Sequence, residues 1–210
     1  FAETPQSVRA KNYQNLTPLT PGNFGYSVLR AGAQSAHFLG LMEWCRQLDC
    51  DIEGLHCETG PGVWEAALQS QLGIEAADRA NLFKTFSKIY FQKRELMATF
   101  MAKWSMDYPG QSGHFHFSLC DEEGGNKFFN GDAAHTMSDL QRHGVAGVQR
   151  YLGEWLPMLA PTINSYTRLV KGAWAPTAAT WGVENRTAAI RVIPGLSLIH
   201  ISEPTRLSLI

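Results

Sequence analysis

Glu53-Gly54-Leu55-His56-Cys57-Glu58-Thr59-Gly60-Pro61-Gly62-Val63-Trp64-Glu65 reads as two strands folded about a tight turn. Cys50 to Cys57 has the composition of a strand, Thr59-Gly60-Pro61-Gly62 supplies the turn, and Val63 to Leu68 returns as a second strand. The hairpin sets Glu58 and Glu65 on either side of a glycine-rich turn. Two carboxylates so placed repel each other unless a cation lies between them, and an oxygen-rich site suits Mg²⁺ or Mn²⁺. Spacing alone favours the plainer alternative of two solvent-facing strand acids.

Outward from the hairpin, residues 1–25 are rich in Thr, Pro, Gly and Asn and read as loop. Tyr26 to Leu48 carries apolar residues at helical spacing, which predicts one long helix, and Ile74 to about Glu95 predicts another, with Glu75 and Asp78 at its N-terminal end. Met97 to Lys103 and Gly113 to Cys120 read as strands around a Pro109-Gly110 loop. A helix from about Ser138 to Leu159 follows, its end marked by Pro157 and Pro161. Residues 161–186 are loop-rich, and Ala188 to Ile193 reads as a short strand. This order of elements is that of an α+β fold with a largely antiparallel sheet flanked by helices.

The chain has 210 residues, 44% of them hydrophobic and 18% charged, enough for one domain with a substantial core. A formal net charge of −1 leaves no excess of Lys and Arg to neutralise phosphates, which argues against a nucleic-acid-binding surface. No apolar run approaches the ~20 residues that span a bilayer. The four cysteines form no C-x-x-C pair, so free thiols in a cytoplasmic setting are expected. The chain opens on Phe1, and its natural N-terminus is expected to lie upstream.

Ser112-Gly113-His114-Phe115-His116-Phe117-Ser118 alternates imidazoles with phenyl rings. On a strand, His114, His116 and Ser118 share one face, where imidazole can ligate a metal or donate to a phosphate, while Phe115 and Phe117 anchor the other to a core. Arg168, Arg186 and Arg191 form a basic set whose guanidinium groups fit carboxylates and phosphates; surface arginines are the plain alternative. Acids, histidines and arginines together suit phosphoryl transfer, and neither a P-loop nor a G-x-G-x-x-G is present to hold the nucleotide.

Five stretches in order, His56 to Gly62, Thr99 to Lys103, Ser112 to Leu119, Asn164 to Leu169 and Trp181 to Arg191, resemble the glutamine synthetase catalytic domain, in the branch of lengsin and the FluG-type proteins. The resemblance spans nearly all of residues 1–195. It implies an ATP-dependent ligase that phosphorylates the γ-carboxylate of glutamate and lets ammonia or an amine displace the phosphate. It implies Glu58, Glu65 and His114 as metal ligands for Mg²⁺ or Mn²⁺, and Glu53, His116, Phe117 and Ser118 as nucleotide contacts. Gly110 and Arg168 would hold the amino-acid substrate, while Arg186 and Arg191 would neutralise the transferring phosphate. A homo-oligomeric ring is implied for the full-length parent. A non-catalytic structural member, as lengsin is, and a guanidino phosphotransferase are the competing readings.

This sequence departs from the family pattern in three places. Gly172-Ala173-Trp174-Ala175-Pro176 carries Trp174 where ammonia-using members have glutamate, which points to a larger amine. The family's Glu-x-Glu ligand pair and its small N-terminal domain would precede Phe1, and further metal and substrate residues would follow Arg191, so the chain alone is expected to be inactive. Residues 196–206 read as a translated sequencing adaptor, and Leu207-Ser208-Leu209-Ile210 restarts the same string. Residues 196–210 are therefore set apart from the partial catalytic domain at 1–195.

Overall fold

The hairpin forms as the sequence predicts. In the computed structural model, which describes residues 1–201, β1 (Ile52–Cys57) pairs antiparallel with β2 (Trp64–Leu68), setting His56 opposite Glu65 and Cys57 opposite Trp64. Gly60 and Gly62 take φ of 129° and 69° in the turn, which glycine adopts at little cost.

The described chain divides into two compact units, one of Phe1–Phe100 with Asp107–Pro109, the other of Met101–Met106 with residues 110–201. In the first unit, α1 (Pro5–Ala10) precedes α2 (Val28–Ala33), α3 (Ser35–Arg46), the hairpin and α4 (Glu75–Gln92). Phe38, Leu41 and Cys45 from α3 pack with Cys50, Ile52 and the α4 residues Tyr90 and Phe91. Phe38 also stacks on Trp64 of β2. The helices approach closely at Gly40, where the Tyr90 hydroxyl donates to the His37 carbonyl at 2.8 Å.

In the second unit, a four-stranded sheet in the order β3-β6-β5-β4 joins β3 (Phe115–Phe117), β6 (Leu198–Ile201), β5 (Ile190–Ile193) and β4 (Trp181–Val183). Only the β4–β5 pair is parallel. The amphipathic helix α5 (Asp139–Leu159), N-capped by the Ser138 hydroxyl, lays Val145, Val148 and Leu152 against Ile190, Val192 and Ile199 of the sheet. A short α6 (Ile163–Tyr166) follows.

Several local expectations change. The long helix over Tyr26–Leu48 is two helices meeting at Gln34, just after the low-propensity Gly32, and the first begins at the Ser27 cap. Met97 to Lys103 is not a strand. The Lys103 N–H and carbonyl are both taken by the Asn164 side chain, at 2.9 and 2.7 Å, and the Ala102 carbonyl accepts from Gln111 N–H, leaving no ladder to join. The Gly113–Cys120 strand shortens to β3. Pro157 sits inside the last turn of α5 rather than ending it, and β4 and α6 arise in the stretch read as loop. Residues 196–201, set apart above, enter the sheet: Ile199 and His200 of β6 are buried at its centre. The restart at Leu207 lies outside the described residues.

Candidate active site

Strand geometry assembles the acidic half of the site. His56 and Glu58 are two residues apart and project to the same side, and the antiparallel register places Glu65 directly across from His56. His56 Nε2 lies 3.1 Å from Glu58 Oε1 and 3.8 Å from Glu65 Oε2. One ligand atom from each of the three residues falls within 4.8 Å of the others. Burial alone would raise the Glu58 carboxyl, but hydrogen bonds from Tyr26 and the Thr59 N–H, with His56 beside it, hold it below the ordinary carboxylate value. The Tyr26 ring also stacks on His56 at 5.1 Å, and the Tyr26 N–H donates to the Cys57 carbonyl, so the cluster is braced from a segment some thirty residues earlier. A carboxylate pair beside an imidazole is the donor chemistry of a divalent-cation site. Glu53, on the same strand, is exposed.

The second unit gathers positive and imidazole groups in a row across its sheet. Register pairs His116 with His200 and His200 with Arg191. His200 Nδ1 and His116 Nε2 share a hydrogen bond at 2.8 Å, and the His114 ring sits 4.7 Å from that of His200, so His114 and His116 do share a strand face. Burial, then the neighbouring His116, His114, Arg191 and Arg186, push the His200 imidazole down to about 3. Burial and Arg191 lower His116 as well. Arg191 Nε is buried with no hydrogen-bond partner among the described residues. A row of imidazoles next to two guanidinium groups is a place for an anion such as phosphate. Of the two phenylalanines, Phe117 packs edge-on against Phe128 in the core, whereas Phe115 is 47% exposed and stacks on Phe117 instead. Ser118 follows, half-buried.

Gly110 and Arg168 also come together. A Cβ at Gly110 would lie 2.6 Å from the Ala102 carbonyl and 2.8 Å from Arg168 Cγ, so glycine is what lets the buried Arg168 stem pass. Trp174, at φ 56° and 77% exposed, borders an open cleft of about 390 Å³ with Lys171, Thr177, Thr180 and Thr187. Sequence reasoning passed over His56 and Tyr26 as site residues. The two-residue spacing of His56 and Glu58 was a readable signal for the first; nothing local marks the second.

Paired carboxylates with an imidazole have the donor set of a divalent-cation site, and the imidazole and guanidinium groups of the second unit have the chemistry of an anion site. The catalytic-domain profile of glutamine synthetase matches residues 3–204, and the chain belongs to that family. It is 46% identical over 93% of its length to type-1 glutamine synthetase 2 of Dictyostelium discoideum, covering 37% of that protein. It is 35% identical over 92% of its length to the gamma-glutamylethanolamide synthetase of Streptomyces coelicolor, and 31% identical over 89% to a glutamate–isopropylamine ligase of a Pseudomonas species, covering 41% of each. Among solved structures, GmaS in complex with ADP superposes with a TM-score of 0.79 at 26% identity, over 89% of this chain and 44% of that one. The chain thus spans less than half the length of the relatives it matches.

Proposed function

We propose that the whole protein carrying this chain is an ATP-dependent carboxylate–amine ligase that joins the γ-carboxylate of glutamate to ammonia or an amine through a γ-glutamyl phosphate. The observation that carries the reading is the gathering of Glu58 and Glu65 around one imidazole at the hairpin, inside a chain of the glutamine synthetase family. A structural protein has no physical need to bring like charges together.

Glu58, Glu65 and His114 are the proposed ligands of Mg²⁺ or Mn²⁺, which when bound screens the phosphate oxygens of ATP. Glu53, His116, Phe117 and Ser118 are the proposed nucleotide contacts. Arg186 and Arg191 balance the charge of the phosphoryl group in flight, which is where catalysis of this transfer acts. Gly110 and Arg168 hold glutamate; their close packing fixes the guanidinium stem in one place. The Trp174 cleft receives the amine, and its size and exposed indole favour an amine bearing an organic group over ammonia. A cytoplasmic homo-oligomer is the proposed setting. We also keep residues 196–210 as adaptor-derived sequence, because a strand at 198–201 leaves the restart at Leu207 unexplained; a genomic read across the junction that repeats the string would remove that reading.

The test is phosphate release from ATP by the full-length protein with glutamate and a panel of amines. Turnover is expected, fastest with a substituted amine, and Trp174→Glu is expected to shift preference towards ammonia. The 210-residue chain alone is expected to show none. Silence with every amine in an assembled oligomer would hand the case to the structural reading.

A further inference from the structure

We propose that His56 is itself a metal ligand, and that the His56–Glu58–Glu65 hairpin therefore prefers a first-row transition ion over Mg²⁺. This rests on the reading of the hairpin as a metal site and adds to it a ligand and a class of ion.

Distance comes first. Ligand atoms bound at 2.0–2.2 Å and subtending roughly 90–110° at an ion stand about 2.8–3.6 Å apart. His56 Nε2 to Glu58 Oε1, at 3.1 Å, falls within that interval, and His56 Nε2 to Glu65 Oε2, at 3.8 Å, lies just outside it. His56 Nε2 approaches both carboxylates and the three ligand atoms lie within 4.8 Å of one another, so an ion held by both acids lies within reach of that nitrogen.

Orientation comes second. The Tyr26 ring lies nearly parallel to that of His56, with an interplanar angle of 15°, which restricts rotation of the imidazole. The same tyrosine hydrogen-bonds Glu58, so one residue fixes two of the three donors. Rotamers locked by neighbours are what a coordinating set requires. Access is open, since the side chains of His56, Glu58 and Glu65 are 39%, 23% and 45% exposed.

Donor chemistry comes third. Mg²⁺ is served by carboxylate, carbonyl and water oxygens, whereas imidazole nitrogen suits Mn²⁺, Co²⁺ and Zn²⁺ increasingly well. One nitrogen with two carboxylates tilts the hairpin towards those ions.

The experiment titrates the 210-residue chain with Zn²⁺, Mn²⁺ and Mg²⁺ by calorimetry and records electron spin-echo modulation of bound Mn²⁺, which reads directly bonded imidazole nitrogen. Two variants are compared: His56→Gln, which keeps a hydrogen-bond donor towards Glu58, and Glu58→Gln. His56→Gln is expected to weaken Zn²⁺ at least tenfold while changing Mg²⁺ less than threefold, and to reduce the nitrogen modulation of bound Mn²⁺. If His56 only positions Glu58, His56→Gln will leave the Zn²⁺-to-Mg²⁺ ratio and the modulation unchanged, which overturns this inference alone. If the unaltered chain binds none of the ions, or Glu58→Gln binds them equally well, the hairpin metal site falls and this inference with it.

Discussion

Gly40→Ala tests whether the α3–α4 contact depends on the absence of one methyl group. A Cβ built at Gly40 stands 2.2 Å from the Tyr90 hydroxyl oxygen and 3.3 Å from Cζ. Tyr90 is 1% exposed, so its ring has nowhere to withdraw. Relief requires about 1 Å of movement, which breaks the hydrogen bond to the His37 carbonyl. Overpacking costs about 1–3 kcal/mol, and a buried hydroxyl without its partner about 1–3 kcal/mol more. Alanine returns about 1 kcal/mol through helix propensity. The net loss is about 3 kcal/mol, or about a 1.5 M fall in the urea midpoint at a slope of about 2 kcal/mol/M. Trp44, whose ring lies 6.0 Å from that of Tyr90, reports the transition by fluorescence. In a Tyr90→Phe background the colliding atom is gone and the nearest remaining one is Cζ, so the same change should cost less than about 0.5 kcal/mol there. Equal cost in both backgrounds, or no cost in the unaltered chain, refutes the argument.

Asn164→Ala strips the Lys103 N–H and carbonyl of their side-chain partners, and should cost about 2–3 kcal/mol in urea unfolding while loosening the 101–106 segment to proteolysis. Glu3 is held down to about 2 by Lys11 and the Thr17 N–H, with the Ser7 hydroxyl assisting. Its contribution to stability is whole above its ordinary value of 4.5 and is lost as pH falls through about 2. The urea-midpoint advantage of the unaltered chain over Glu3→Gln should therefore shrink between pH 4.5 and 2, and a constant gap would contradict the ion pair's role.

The hairpin was legible because its evidence is local: turn glycines and strand residues lie next to the acids they position. The shared face of His114 and His116 followed from alternation alone. What stayed hidden depends on partners far along the chain. Met97 to Lys103 has the composition of a strand, but its backbone groups are claimed by Asn164, sixty-one residues on from Lys103. Tyr26 braces Glu58 from some thirty residues earlier, a gap that no periodicity encodes. Phe115 alternates as a core residue would, yet β3 is too short and too near the sheet edge to bury both rings. His56 could have been found, since its two-residue offset from Glu58 sets both on one face.

The strand order has a practical bearing on cloning. Among the described residues β3 reaches the rest of its sheet through β6 alone, so a chain truncated before Leu198 would lose the mooring of the segment that carries His114 and His116. Whatever sequence fills positions 198–201 decides where those imidazoles are aimed, and domain trimming for crystallisation would have to respect that boundary.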